Sequence, residues 1–272
     1  MHIEIAANEE IKTENQFSLK NIRSKLLQLH HSSQMTHAAS SLSCLEIIYF
    51  IFSNYLLNKN NKFILSKGHA CSAVYSVLNE FGLISNAEFK TIYKDNSSFG
   101  VHLSKACIDR FPQLQFASGS LGHGLSLSAG LAYAARLRSS QENIFCLLSE
   151  GDCNEGSTWE AALFASHHQL SNLVCLIDHN KQQAFGSTKD VLDLGSLVQK
   201  WQSFGFKVFE VMNGHDLNEI KQSFLNALNS TSTLPKCIIL HTVKGNSLSQ
   251  TDWKSHYLKV SDSMLAGYEI EE

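Results

Sequence analysis

The stretch SEGDCNEGSTWEAALFASHHQLSNLVCLIDHN, which runs from Ser149 to Asn180, decides the fold. A short apolar run precedes it and ends in the acidic, glycine-containing turn at its start. A segment with helical periodicity follows, and a second apolar run then ends in Asp-His-Asn. This order predicts a strand, a helix and a second strand, the repeating unit of a parallel sheet. Because ligands bind beyond the carboxyl ends of such strands, the polar residues that end both runs are candidates for a binding site.

The same alternation continues along the chain and predicts an α/β fold, a doubly wound, mostly parallel sheet flanked by helices. The strand candidates are continuous apolar runs, which is typical of strands covered on both faces. They are Phe63–Leu65, Ile144–Leu148, Leu173–Ile177, Lys207–Val211 and Cys237–His241. Helical periodicity appears in Leu19–His31, Leu42–Leu57, Ser72–Phe81, Leu125–Leu137, Ser157–His167 and Leu217–Leu228.

The length and composition indicate one domain of an ordinary globular protein. We predict a loose tail over residues 1–17 and a single domain over residues 18–272, since no linker-like or repetitive stretch divides the sequence. A net charge of -3 gives no basic surface for nucleic acid or for a membrane. No apolar run approaches the ~18 residues of a membrane span.

The cysteines and the first residues favour a cytoplasmic protein. The seven cysteines are scattered and form no CxxC pair, so buried reduced thiols are a better interpretation than disulfides or a zinc site. The chain begins MHIEIAANEEIKTENQF, which is too acidic and polar for a secretory signal.

A carboxylate and a carboxamide follow the two central strand candidates and predict a metal site. Magnesium prefers oxygen ligands, which it shares with water and substrate phosphates. Glu150, the side chain of Asn180 and a nearby backbone carbonyl such as that of Gln182 could supply the protein's ligands. Each polar turn alone is more simply a connection between strand and helix, but the two together favour a metal that would hold a phosphate.

Two further features fit an anionic ligand. Gly119–Gly124 (GSLGHG) precedes the helical segment from Leu125, where glycines allow close backbone approach and the helix start offers free N–H groups to an anion. Four histidines stand at turns, where neutral imidazoles can move protons or donate hydrogen bonds to phosphate and hydroxyl groups. These histidines are His37, His69, His102 and His256.

Taken in order, these motifs resemble the N-terminal, diphosphate-binding half of transketolases, which use thiamine diphosphate. The strongest stretches are KFILSKGHACSAVYSVL from Lys62, ASGSLGHGLSLSAGLAYAARL from Ala117, and the motif that ends at Asn180. TVKG (Thr242–Gly245) and the segment Trp253–His256 are also similar to the family. The resemblance covers nearly the whole chain and is closest to the separately encoded N-terminal subunits of split transketolases.

The resemblance implies a role for each matching residue. The family's metal-binding motif falls on Glu150, Gly151 and Asn180, with the Gln182 carbonyl as a third ligand of Mg²⁺ (or of Mn²⁺ or Ca²⁺). The remaining matches concern the cofactor, the substrate and the subunit contact. Gly119 and Leu121 match residues that line the cofactor, and Gly151 matches one at the diphosphate. His69, His102 and His256 match histidines around the diphosphate and the reaction centre, and His37 matches a histidine that contacts the substrate. Glu155 matches an acidic residue at the subunit contact near the cofactor.

Several residues depart from the family pattern. Glu150 stands where the family has aspartate and Ser149 where it has glycine, so either Glu150 or Asp152 could be the metal ligand. Around His37 the usual proline and glycines are replaced, Val101 replaces the glycine before His102, and Asn246-Ser247 replaces Lys-Gly after TVKG. These departures surround the expected substrate mouth and favour a specialised substrate.

The resemblance implies a transketolase-type transferase that moves a two-carbon ketol unit from a ketose to an aldehyde, with sugars or sugar phosphates as substrates. The domain that binds the aminopyrimidine of the cofactor would come from a C-terminal partner subunit, in an α2β2 heterotetramer. A 2-oxo-acid dehydrogenase α subunit or a deoxyxylulose-phosphate synthase is an alternative, although SKGHA together with GSLGHG favours transketolase. A non-catalytic binding subunit is another, suggested by Ser149-Glu150.

Overall fold

One five-stranded parallel sheet organises the chain. The structure, a computed structural model, describes residues 18–57 and 59–270, so the predicted tail over 1–17 lies outside the described residues. The strands stand in the order β1-β2-β3-β5-β4, and all neighbours are parallel. Their bounds are β1 Lys62–Leu65, β2 Ile144–Ser149, β3 Leu173–His179, β4 Lys207–Val211 and β5 Lys236–His241.

Helices connect the strands and cover the sheet. The longer ones are α1 Leu19–Ser33, α4 Cys71–Glu80, α7 His123–Leu137, α8 Gly156–His167, α11 Leu217–Leu228 and α12 Asp262–Ile270. The shorter ones are α2 Ala38–Ser43, α3 Leu45–Ile51, α5 Asn86–Phe89, α6 Lys105–Arg110, α9 Thr188–Leu192 and α10 Leu197–Ser203. Short 3-10 turns lie at Gly68–Ala70, Asp152–Asn154 and Trp253–Tyr257, and a π-helical turn at Phe52–Leu56. Within the described ranges, no helix has the length and apolar character needed to cross a bilayer.

Each strand sends alternate side chains into two separate hydrophobic cores, because successive strand residues point to opposite faces. On β2, Phe145 and Leu147 enter the core beneath α1, α3, α4 and α11. Cys146 and Leu148 enter the opposite core with α7, α8 and α10, where Trp201 is completely buried. The predicted doubly wound sheet, covered on both faces, is therefore confirmed.

The predicted strands are all present, and the structure extends several by one or two residues. The predicted helix Leu42–Leu57 differs most, because helical structure starts earlier, at Ala38, and breaks at Cys44. Cys44 has φ −121° and ψ 15°, values that end α2 and begin α3. Periodicity alone does not mark this break, since apolar residues on both sides face the same core.

The parallel register aligns the polar turns along one edge. Ser149 pairs with Asp178, and His179 pairs with His241, so β2, β3 and β5 end at nearly the same level. Helix α7 begins against the turn after β1, where a Cβ on Gly124 would overlap the side chain of Ser66 and lie 2.9 Å from its Cα. Only glycine permits this close approach of helix and strand.

We predict opposite effects for the same substitution at two glycines of α7. Gly124→Ala should reduce the free energy of unfolding by about 1–3 kcal/mol, because the added methyl group collides with Ser66. Gly130→Ala should raise it by about 0.5–1 kcal/mol, because a Cβ there meets no atom within 4 Å and alanine favours the helix. Urea denaturation midpoints of the two variants measure the difference. Equal effects would contradict the close packing of α7 on β1.

Candidate active site

A buried ion pair joins the turn after β1 to the end of β3. The Lys67 ammonium donates to the Asp178 carboxylate and to the backbone oxygen of Ser40 at 3.1 Å, and both charged side chains are almost completely buried. Burial acts to lower the pKa of Lys67, but the adjacent Asp178 carboxylate outweighs it and holds that pKa above its usual value. Burial likewise acts to raise the pKa of Asp178, and Lys67 reverses the shift. Both groups are therefore charged at neutral pH.

The same carboxylate orients the predicted ligand Asn180. Asp178 Oδ1 accepts from the hydroxyls of Ser43, at 2.8 Å, and of Thr242. The Asn180 amide nitrogen donates to Ser43 Oγ at 2.9 Å and to Asp178 Oδ2 at 3.4 Å. The amide oxygen consequently points the other way, where it accepts from the Gln182 N–H at 3.0 Å. Asn180 thus presents an oxygen on the side of the turn that contains Gln182.

Asp152 is fully engaged by the protein and serves as a structural centre. One of its oxygens accepts from Ser66 Oγ and, at 2.8 Å, from the Gly122 N–H. The other accepts from both the N–H and the hydroxyl of Ser149 at 2.7 Å. The carboxylate of Asp152 is 0% exposed and accepts hydrogen bonds from four donors. These hydrogen bonds connect β1, β2 and the glycine-rich loop. This arrangement disfavours Asp152 as a metal ligand.

Glu150 is buried beside the end of β3 and has a different environment. One carboxylate oxygen accepts from the backbone N–H of Lys181, a residue in the left-handed conformation at φ 63°. The other oxygen lies 3.0 Å from Nδ1 of His179, but the ring is misaligned and makes no hydrogen bond. Glu150 therefore keeps an oxygen without a donor hydrogen, next to a buried ring nitrogen that has no hydrogen-bond partner.

Three of the four predicted histidines lie close together at the carboxyl edge of the sheet. The ring centroid of His37 is 4.5 Å from that of His256 and 5.7 Å from that of His69, and the His69 and His256 centroids are 5.6 Å apart. The backbone N–H of His37 also donates to the His256 backbone oxygen at 3.3 Å. Residues far apart in sequence thus form one imidazole cluster, composed of His37, His69 and His256.

The imidazole cluster is neutral because it is half-buried next to two lysines. Burial, and then Lys244, lowers the pKa of His256 to about 3. Burial, and then Lys67, holds the pKa of His69 well below its usual value. Burial, and then His102, lowers the pKa of His37. Lys244, which donates to the Gln183 backbone oxygen at 3.1 Å, has its pKa lowered to about 8 by burial and then by Lys67.

The glycine-rich loop borders the cluster through His102. A Cβ added at Gly119 would lie 3.8 Å from the His102 ring, so loop and ring are in near contact. A Cβ at Gly151 would meet the Leu121 side chain at 2.8 Å, so the residue predicted at the diphosphate lies next to one predicted to line the cofactor. Beside this loop lies a cavity of about 320 Å³ that includes Ser118 and Gly119. Glu155, at the start of α8, is exposed to solvent.

The structure brings together most of the predicted site and adds residues that sequence reasoning missed. Lys67 and Lys244 lie inside the quoted motifs SKGHA and TVKG, and Asp178 and His179 inside Asp-His-Asn, so position in a motif was the available signal. Ser43 carried no such signal. Within residues 18–57 and 59–270, no three His, Cys, Asp or Glu side chains are grouped as a metal site. A metal would thus also depend on amide or carbonyl oxygens such as those of Asn180 and Gln182.

The known proteins to which this chain is similar include subunits of transketolases. The family described as "Transketolase, thiamine diphosphate binding domain" matches residues 15–265. An apulose-4-phosphate transketolase subunit of Actinobacillus succinogenes is 32% identical over 266 residues, which cover 93% of this chain and 94% of that protein. A 6-deoxy-6-sulfo-D-fructose transketolase subunit of a Clostridium species is 29% identical over 238 residues, covering 84% and 85%.

A solved structure has the same fold. Transketolase from Leishmania mexicana matches with a TM-score of 0.76 and 22% identity, over 93% of this chain. This chain spans 40% of that longer chain.

We predict that removing only one charge of the Lys67–Asp178 pair strongly destabilises the protein. Lys67→Met should reduce the free energy of unfolding by about 3–5 kcal/mol, because it leaves Asp178 buried without a counter-charge. The double variant Lys67→Met/Asp178→Leu should lose less than the sum of the two single variants, since it removes both charges. Chemical denaturation of the four proteins gives the coupling. Additive losses would show that the two side chains do not interact.

We predict that His69 and His256 stay neutral well below pH 6, and that the pKa of His37 lies below its ordinary value. Below the ordinary histidine pKa of 6.5, these residues bind protons in the unfolded chain but not in the folded one. The free energy of unfolding should therefore fall as the pH decreases from 6.5 towards 3. NMR of labelled histidine measures the ring states, with His256 titrating near pH 3. Midpoints near 6.5 for all three rings would contradict the burial of the cluster.

Proposed function

Because this chain belongs to the transketolase family and is part of a transketolase-type transferase, we propose that it binds thiamine diphosphate and a divalent metal at the carboxyl edge of its sheet. With a C-terminal partner subunit it transfers a two-carbon ketol unit from a ketose donor to an aldehyde acceptor. Residues 18–272 act as one diphosphate-binding domain in this proposal. Its support in the fold is the single sheet, with helices on both faces.

The proposed metal site rests on one observation, the group of oxygen ligands at the ends of β2 and β3. Glu150 supplies a buried carboxylate, and the Asn180 oxygen faces the Gln182 turn because its nitrogen is held by Ser43 and Asp178. The buried His179 Nδ1 has no hydrogen-bond partner beside Glu150, which fits a cation at this place. We assign Glu150, Asn180 and the Gln182 carbonyl as ligands in preference to Asp152, whose oxygens already accept four hydrogen bonds.

When bound, the cofactor supplies the carbanion chemistry of ketol transfer, and the protein supplies position and electrostatics. Buried Lys244, whose ammonium donates to a backbone oxygen, places a positive group at this edge that suits a diphosphate. Gly119 and Leu121 line the cofactor in this assignment, and Gly151 lies at its diphosphate.

The histidines hold protons near the reacting carbon and the substrate hydroxyls. Burial keeps the imidazoles of His69 and His256 neutral at physiological pH, so both rings can donate and accept. His102, which borders the glycine-rich loop, is the third histidine near the diphosphate in this proposal. His37, whose backbone is left-handed at φ 77°, turns its ring towards His256 and contacts the substrate in this proposal.

A separate partner subunit completes the site. Two relatives, of which this chain covers 82% and 94%, are each named as one subunit of a transketolase, which supports a split enzyme. Glu155 is exposed at the start of α8, as a contact residue requires, and Phe185 and Leu192 near the site are 79% and 57% exposed. We propose an α2β2 heterotetramer with these surfaces at the subunit contact. Seven unpaired, buried cysteines support the cytoplasm as its compartment.

The substrate is a specialised ketose or ketose phosphate. The relatives' names specify apulose 4-phosphate and 6-deoxy-6-sulfo-D-fructose, so members of this group act on unusual sugars. In this chain the residues that depart from the family pattern include exposed Val101, which precedes His102. A non-catalytic binding subunit is the second candidate, favoured by the replacement at Ser149-Glu150 and by the contact between Glu150 and Lys181 N–H.

We predict that Glu150→Ala lowers ketol transfer by at least about 100-fold in kcat/KM, because it removes a metal ligand. The assay uses the chain with a transketolase C-terminal subunit, thiamine diphosphate, a divalent metal, and ketose donors that include ketose phosphates and sulfonates. Asp109→Ala, which removes an exposed carboxylate from α6, is the matched control and should retain activity.

Equal activity of the two variants would overturn the role of Glu150. Cofactor binding by the unaltered complex without transfer from any ketose would instead favour the non-catalytic subunit.

A further inference from the structure

The contact between Glu150 and His179 has the geometry of two ligands rather than of a hydrogen bond. Glu150 Oε1 and His179 Nδ1 are 3.0 Å apart, a normal hydrogen-bond distance. Nevertheless Nδ1 is buried and has no hydrogen-bond partner, so the hydrogen or lone pair on this nitrogen points away from the carboxylate oxygen. A buried polar atom without a partner is costly unless something else satisfies it.

A metal ion satisfies both atoms at this separation. Metal–nitrogen and metal–oxygen bonds of about 2.1 Å that meet at about 90° place neighbouring ligand atoms about 3.0 Å apart. In such a pair each lone pair points at the ion and not at the other ligand. The observed separation and the misaligned ring of His179 both agree with this arrangement.

The sheet holds His179 in place from the opposite side. His179 and His241 pair across β3 and β5, and their rings meet edge to face with centroids 4.8 Å apart. His241 Nε2 in turn lies 2.8 Å from Glu210 Oε1 on β4. The four side chains form a row across neighbouring strands, in which only Glu150 and His179 adjoin the proposed metal site.

We propose that His179 binds the metal through Nδ1 together with Glu150, and that the site therefore favours a first-row transition ion such as Co²⁺, and to a lesser extent Mn²⁺, over Mg²⁺ and Ca²⁺. This inference rests on the proposed function, which it refines at one ligand. Imidazole nitrogen binds first-row transition ions well, whereas Mg²⁺ and Ca²⁺ prefer oxygen. Glutamate in place of aspartate fits the same arrangement, since the longer side chain reaches the His179 ring.

Pulsed EPR of bound Mn²⁺ tests the nitrogen ligand directly. The sample is the chain with its partner subunit, thiamine diphosphate and Mn²⁺, prepared with ordinary and with ¹⁵N-labelled histidine. The expected spectrum contains a directly coordinated histidine nitrogen, whose coupling changes with the label. His179→Leu and His179→Gln should lose this coupling, and His167→Leu should keep it, because His167 is exposed at the far end of α8.

Competition between Mn²⁺ and Mg²⁺ for cofactor-dependent binding provides the second readout. His179→Leu should reduce the preference for Mn²⁺ by about tenfold, while His167→Leu leaves it unchanged. Metal-dependent cofactor binding with no histidine coupling and an unchanged preference would overturn this inference and leave the proposed function standing. No metal-dependent binding of the cofactor by the unaltered complex, with any of these ions, would overturn the proposed function itself.

Discussion

The buried pair of Lys67 and Asp178 is the interaction on which the site depends. It connects the turn after β1 to the end of β3, and the Asp178 carboxylate also accepts hydrogen bonds from the hydroxyls of Ser43 and Thr242. Removing two charges from water is expensive, and the attraction between them offsets that expense only with good geometry and additional hydrogen bonds. Here those hydrogen bonds come from α2, the residue after β5, and Asn180, so the pair fixes the relative positions of four segments.

The polar groups at the carboxyl edge of the sheet therefore have different roles. Asp152 is saturated by four donors and holds the glycine-rich loop against β1 and β2, whereas Glu150 retains an oxygen beside an unpartnered ring nitrogen. Lys244 and the imidazole cluster lie above this edge, with pKa values that burial lowers. An anionic ligand is favoured where buried Lys244 provides positive charge and neutral imidazoles provide adjustable donors and acceptors.

The sequence was sufficient for the sheet and for the positions of several candidate site residues at the strand ends, because both follow local rules. Continuous apolar runs identified all five strands, and the strand ends located Glu150 and Asn180. The break at Cys44 was missed, since it leaves the apolar pattern undisturbed. Pairings across the sheet were also missed. Lys67 with Asp178, or Glu150 with His179, joins residues 111 or 29 positions apart, and no periodicity encodes such contacts. The motifs contained these residues but did not reveal their partners.

The central claim, that this edge binds thiamine diphosphate through a divalent metal, is tested most directly by calorimetric titration of the cofactor into the chain with its partner subunit. The titration is done with Mn²⁺ or Mg²⁺ present and again with a chelator. Our account predicts saturable binding that requires the metal. Binding of equal strength in the chelator, or none in the presence of either metal, would contradict it.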